Sequence, residues 1–405
     1  MIWNSLGSFT YLFAQWVFTY LVTNALGFTS AGVYSLAVSV TSTFYMVSAY
    51  SMRNYQVSDI HHDYSDSTYI RSRYLTSLIA FILCMLFSCA SGYDASTLIC
   101  IALYMLYKMT EGVSDAYQGV MQLRMRMDYI GKSFIFKGVL ELAVFGAALY
   151  LIKDLPLSLA ALFACSTVIV LLYDARRART FYLSEPARRP EGWNDVLSLL
   201  KTCLPAAVFG LLFTAAGQLP RIFIERQLGA EMLGYYSSIA MPTTIIQVSA
   251  NFIFAPLATP LAQAFDTGDT IRFTSMIKRV LLAIFAIMFL GICGFLLFGD
   301  WFYSLLYGAA IKPYVMLSIP LVISCALVAT SWFLSTILMV LRKLKPLMVA
   351  SAIACAITLF GSKPFLALFD LNGATFIYIA ALVAFIASGI LAVSHGKVNN
   401  DHVRA

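Results

Sequence analysis

Charged residues make up only 12% of this 405-residue chain, about half the share of a soluble domain, and histidine occurs four times. With 60% of residues apolar and a mean hydropathy of +0.80, too little polar surface remains to wrap a core of this size. A water-soluble globule is excluded, and lipid must be the solvent for most side chains. At roughly 21 residues per span, twelve spans use about 250 residues. The roughly 150 left for loops and tails exclude an extramembrane catalytic domain of ordinary size.

Other absences narrow the chemistry. There is no Cys-x-x-Cys pair. The eight cysteines (84, 89, 100, 165, 203, 293, 325 and 355) sit in or beside apolar runs and read as small hydrophobes, without disulfides or metal. His61, His62, His395 and His402 fall outside the apolar runs, so no intramembrane histidine serves as base or ligand. His61 and His62 beside Asp59 and Asp63 read as a solvated loop rather than a metal site. Gly131-Lys132-Ser133 looks like the end of a phosphate-binding loop, but Arg126 stands where the glycine is needed. No nucleotide site, cofactor or nucleic-acid partner is expected. The start of the chain lacks a basic leader, and no cleavable signal is expected.

Apolar runs long enough to cross a bilayer lie at about 6–26, 31–52, 75–92, 97–120, 134–152, 155–173, 203–224, 233–258, 280–298, 314–341, 346–369 and 374–394. The fourth, seventh and tenth carry the most polar residues. The net charge of +7 is a topology signal. With the N-terminus inside, the loops at 53–74, 121–133, 174–202, 259–279 and 342–345 and the tail hold twenty Lys and Arg. The other side holds only Lys153, Arg226, Lys312 and Lys363, so both termini are expected in the cytoplasm.

Leu26-Gly27-x4-Gly32-x-Tyr34-Ser35 recurs as Leu228-Gly229-x4-Gly234-x-Tyr236-Ser237, offset by 202 residues, half the chain. Each copy bridges the first two spans of a six-span unit. This is a parallel repeat, an arrangement that places a substrate path between two lobes. The expected organisation is an N-terminal lobe at 1–175, a basic cytoplasmic linker at 176–202, a C-terminal lobe at 203–396 and a tail at 397–405. Within the linker, Trp193 to Lys201 reads as a short interfacial helix.

Charge inside a bilayer costs roughly 2.5–3.5 kcal/mol per residue, so it marks a cavity or a partner. The fourth span presents Lys108, Glu111, Asp115, Gln118 and Gln122 at alternating spacings of 3 and 4, a polar stripe on one face. Read as structure, Lys108 and Glu111 are an i,i+3 pair holding helices together. Read as function, the stripe lines a cavity. The seventh span repeats the device with Thr214, Gln218, Arg221 and Glu225, and Pro220 is expected to open the helix locally. Lys137 and Glu141 read as a structural i,i+4 pair. Tyr11, Gln15 and Thr19 in the first span, and Ser237, Thr244 and Asn251 in the eighth, read as contacts between helices.

Three stretches together resemble the polysaccharide-transport branch of the multidrug/oligosaccharidyl-lipid/polysaccharide (MOP) flippase superfamily. They are Met52-Arg53-Asn54-Tyr55-Gln56-Val57-Ser58-Asp59; Tyr107-Lys108-x-x-Glu111-Gly112-x-x-Asp115 running through Gln118-Gly119-x-x-Gln122 to Arg126-Met127-Asp128-Tyr129-Ile130-Gly131-Lys132-Ser133; and Leu204-Pro205, Pro220-Arg221 and Leu228-Gly229-x4-Gly234-Tyr235-Tyr236. The resemblance implies an all-α polytopic membrane protein of about twelve transmembrane helices in two pseudo-symmetric six-helix bundles, V-shaped and alternating access to a central cavity. It implies a bacterial cytoplasmic membrane and a cargo of undecaprenyl-diphosphate-linked oligosaccharide moved to the outer leaflet for capsule, exopolysaccharide or O-antigen assembly. On that reading Lys108 and Arg221 contact the diphosphate, and Gln118, Gln122, Gln218 and Asn251 meet sugar hydroxyls. Glu111 or Asp115 is the expected carrier of a coupling H⁺ or Na⁺. Membrane lipids and polysaccharide assembly enzymes are the remaining expected partners. The competing readings are a cation-coupled drug antiporter of the same superfamily, and a membrane polymerase or acyltransferase. The polymerase reading lacks a large outer loop, and the acyltransferase reading lacks an intramembrane histidine.

Overall fold

The computed structural model describes residues 2–59, 63–182, 192–254, 270–341 and 343–401, together with residues 257, 260, 261, 263, 264, 267 and 269. Every regular element among them is helical. Eight helical stretches are long and apolar enough to span a membrane. Two of these cross twice: Ile2–Ala49 breaks at Gly27 (φ 84°) and Leu344–Asp401 at Asp370 (φ 48°). Ala95–Leu123 and Ala230–Phe254, too polar to qualify on hydropathy, complete twelve crossings among the described residues.

Tight corners turn on residues with positive φ: Gly27, Gly92, Met125, Lys153, Gly229, Gly308 and Asp370, while Tyr50 and Ser51 take the same backbone region before the short helix Met52–Ser58. The repeat explains two of them. Its first glycine is Gly27 in one copy and Gly229 (φ 91°) in the other, a backbone region that L side chains avoid. Its tyrosine is buried in both: Tyr34 packs edge-on against Tyr104 at 5.6 Å, and the Tyr236 hydroxyl bonds Thr375 at 3.1 Å. The recurring pattern therefore specifies a corner and the first core contact after it.

The chain divides into two compact units, Met1–Thr214 and Ala215–Ala405. The division falls inside one continuous helix, Trp193–Leu228, so Trp193–Lys201 runs without a break into the seventh span. The same helix runs unbroken through Pro220, where a local opening was expected; a missing N–H costs one bond in the ladder without forcing a break. Linker residues 183–191 and His61, His62 and His402 lie outside the described residues.

In the first unit, helix crossing is set by small residues. A Cβ on Gly131 would stand 2.2 Å from the Trp3 carbonyl oxygen, so the first and fifth spans touch backbone to backbone. The second unit is held by apolar clusters around Ile284, Ala329 and Phe333 and around Ile246 and Val322. The cysteines at the eight positions are all free thiols, and Cys84, Cys100, Cys203 and Cys325 are buried.

Candidate functional site

The polar stripe of the fourth span is present, and each charge on it has an owner. Lys108 Nζ bonds Glu111 at 2.9 Å and sits 5.3–5.9 Å from the ring centres of Tyr45, Tyr104 and Tyr107, a cation held by a carboxylate and three aromatic faces. Glu111 also accepts the Tyr11 hydroxyl of the first span. One turn on, Asp115 lies between two guanidiniums, Arg53 at 2.8 Å and Arg73 at 2.9 Å. Arg53 also donates to Gln122 Oε1 at 2.8 Å, and Arg73 to the Ser48 carbonyl at 2.9 Å. Gln118 departs from the stripe: it is buried and donates to Ser114 Oγ at 3.2 Å.

Arg53 reaches the stripe from a seven-residue helix, Met52–Ser58. Asp59 locks the return of the chain, accepting the Asp63 and Tyr64 amides and the Tyr69 hydroxyl. The loop expected at 53–74 is thus largely ordered helix. Arg73, counted from sequence among cytoplasmic loop charges, is buried in Asp66–Ala90.

A second buried network crosses the same unit. Lys137 donates to Ser114 at 2.7 Å and lies 3.9 Å from Asp174, while Ser114 donates to Asp174. Glu141 accepts the Tyr107 hydroxyl at 3.0 Å, and Tyr107 in turn accepts from Gln15 at 2.7 Å. Lys137 and Glu141 therefore bond other helices rather than each other. The segment between them is a π-helix, as is Val170–Asp174, and its wider turn does not give α-helical i,i+4 geometry. Four cations (Arg53, Arg73, Lys108, Lys137) face four anions (Glu111, Asp115, Glu141, Asp174). These two networks together hold as many cations as anions; Asp66, paired with Arg124 at 2.8 Å, and Asp59 are further buried acids of the unit.

Arg221 differs. It is half-buried in a span of the second unit and makes no ion pair among the described residues. One turn earlier, Gln218 Oε1 is buried without a hydrogen-bond donor. In the repeat register the first copy has Thr19 at this place, so the cation belongs to one unit only. The side chain of Asn251 lies outside the description. Among the described residues no group of three or more His, Cys, Asp and Glu is placed to hold a metal.

Sequence spacing located the stripe. It missed Arg53 and Arg73 as its partners, and Ser114 and Asp174 as the network behind it. For Arg53 the signal was its place in the motif Met52–Asp59; for Asp174, a carboxylate at the end of an apolar run.

A family described as polysaccharide biosynthesis protein matches residues 1–263. The chain is 24% identical over 287 residues to the capsular polysaccharide biosynthesis protein CapF of Staphylococcus aureus, covering 68% of this chain and 69% of that protein. Among solved structures, the lipid II flippase MurJ in an inward closed conformation matches with a TM-score of 0.75 at 10% identity, covering 97% of this chain and 88% of that one. An inward-facing multidrug resistance MATE family transporter of the MOP superfamily matches with a TM-score of 0.70 at 12% identity, covering 98% and 95%. The chain is a multi-pass helical membrane protein with the fold of these transporters, and it belongs to the polysaccharide biosynthesis protein family.

Proposed function

We propose that this protein carries lipid-linked oligosaccharide, on an undecaprenyl diphosphate, from the cytoplasmic to the outer leaflet of a bacterial cytoplasmic membrane by alternating access, with both termini in the cytoplasm. Arg221 carries the reading. An unpaired guanidinium inside a span is expensive, and a diphosphate is the bidentate anion that suits it. Gln218, with an unused carbonyl a turn away, meets a sugar hydroxyl donor, and Asn251 is proposed beside it. Lys108, Gln118 and Gln122 are proposed as secondary contacts, since each now serves an internal partner. The head group needs a polar path because each unpaired hydroxyl in hydrocarbon costs kilocalories, while the lipid tail stays in the bilayer.

Driving force follows from charge. Moving about two negative charges outward down an inside-negative potential of 100 mV gains about 4.6 kcal/mol, more than a thousandfold in equilibrium. Coupling through Glu111 or Asp115 requires an incoming H⁺ or Na⁺ to compete with Lys108 or with two arginines. Unchanged gradient-dependent export in both Glu111→Gln and Asp115→Asn refutes that coupling.

The test is a deletion strain complemented with wild type or Arg221→Ala, with lipid-linked repeat units extracted and assigned to a leaflet. Complete units held on the cytoplasmic face in the variant support the proposal. Complete but unpolymerised units on the outer face move the protein to polymerisation and sink it.

A further inference from the structure

The helix Thr270–Tyr307 has 38 residues, about 57 Å of length against a hydrocarbon core of about 30 Å. Its uncharged stretch, 280–298, spans about 28 Å. Lys278 and Arg279 therefore sit at the hydrocarbon boundary, and the turns before them project through the head-group layer. Only 11% of the helix's most apolar segment is buried, the least of any spanning stretch described.

Along its first turns runs a shallow, open groove whose lining residues all come from this helix. Its lining residues recur at alternating spacings of one and three, a single helical face: Thr270, Thr274 and Ser275 supply hydroxyls, Lys278 and Arg279 the charge, Leu282 an apolar surface on the hydrocarbon side and Ile271 one at the outer end. Thr270, Thr274, Lys278, Arg279 and Leu282 are exposed. Asp269, the acid next to the groove, is occupied in capping the helix, accepting the Arg272 amide at 2.9 Å. Two adjacent cations and three hydroxyls, with an apolar side chain on the hydrocarbon side, match one occupant by charge and by depth.

We infer that this groove binds the phosphate of an anionic membrane phospholipid, with Lys278 and Arg279 on the phosphate oxygens, the Thr274 and Ser275 hydroxyls donating to it, and an acyl chain along Leu282. The site lies within the second unit and is separate from Arg221 in sequence and element; it rests on the membrane placement of the chain and not on the proposed cargo. A lipid held there would tie this peripheral helix to the surface of one leaflet.

Native mass spectrometry of the full-length protein in detergent, titrated with phosphatidylglycerol or with zwitterionic phosphatidylcholine, tests this. Each cation near an anionic lipid is worth about fivefold. Lys278→Ala with Arg279→Ala should weaken phosphatidylglycerol binding about 25-fold and leave phosphatidylcholine unchanged. The charge-keeping exchange Lys278→Arg with Arg279→Lys should bind within about twofold of wild type, which separates lost charge from lost fold. Lys312→Ala should have no effect. Equal binding of the two lipids, or full binding by the double alanine variant, overturns the inference. Displacement of phosphatidylglycerol by millimolar inorganic phosphate also overturns it, by showing a site for the free ion.

Discussion

Replacing Asp115 with Asn removes one negative charge from between two guanidiniums while keeping the side-chain size. The two partners respond differently. Arg73 is 1% exposed, and leaving a buried charge without its counter-ion costs about 3–5 kcal/mol. The low end applies, because Asp115 itself is 29% exposed and water reaches that side of the pair. Arg53 is 21% exposed and keeps Gln122, so its share is at most about 1 kcal/mol. The total of about 3–4 kcal/mol should lower the melting temperature of a unit this size by on the order of 10 °C. A thermal melt in detergent with a fluorogenic thiol reagent reads this as earlier exposure of Cys84 and Cys203, both buried in the same unit. Asp128→Asn is the control: its pair with Arg126 is equally short, 2.9 Å, but 41% and 35% exposed, and the expected shift is below about 2 °C. Replacing the pair outright, Arg73→Met with Asp115→Leu, should recover most of the loss. An Asp115→Asn shift as small as the control's would refute the claim that this carboxylate holds the short helix and the third span to the fourth.

Three further outcomes follow from the same structure. Gly27→Val and Gly229→Val should each cost about 1–3 kcal/mol through backbone strain alone, since nothing lies within 4 Å of either added Cβ; the same melt reads it, and no loss at either would contradict the corner geometry. Gly131→Ala should cost at least as much by driving the first and fifth spans apart, with cross-linking of cysteines placed on the two helices as the check. Asp94 caps Ala95–Leu123, and the Thr97 hydroxyl, followed by backbone amides, holds its carboxyl below the usual range. Its capping stability, about 1 kcal/mol, is present above the unfolded carboxyl value near 4 and is lost as pH falls through the depressed folded value. Asp94→Ala should accordingly melt lower than wild type at neutral pH and converge with it in strong acid.

The crossings were legible because lipid imposes apolar run length, and two of the corners because the repeat places Gly27 and Gly229 where a positive φ is needed. The stripe was legible from its spacing of three and four. Its cationic partners were not, because Arg53 and Arg73 come from other segments and spacing carries no information across helices. Arg73 shows why: seven residues after the helix starts at Asp66, it looks like an inside-loop charge and is in fact core. Pro220 shows the opposite error, a local rule outvoted by the packing around a long helix.

The central claim is tested most directly by reconstitution. Purified protein in vesicles loaded on one leaflet with an undecaprenyl-diphosphate oligosaccharide should move it to the other leaflet, faster with a potential that drives the anion in that direction. Arg221→Ala should abolish most of that movement, with Arg221→Lys intermediate. Movement by Arg221→Ala at the wild-type rate and with the wild-type response to potential would contradict the account.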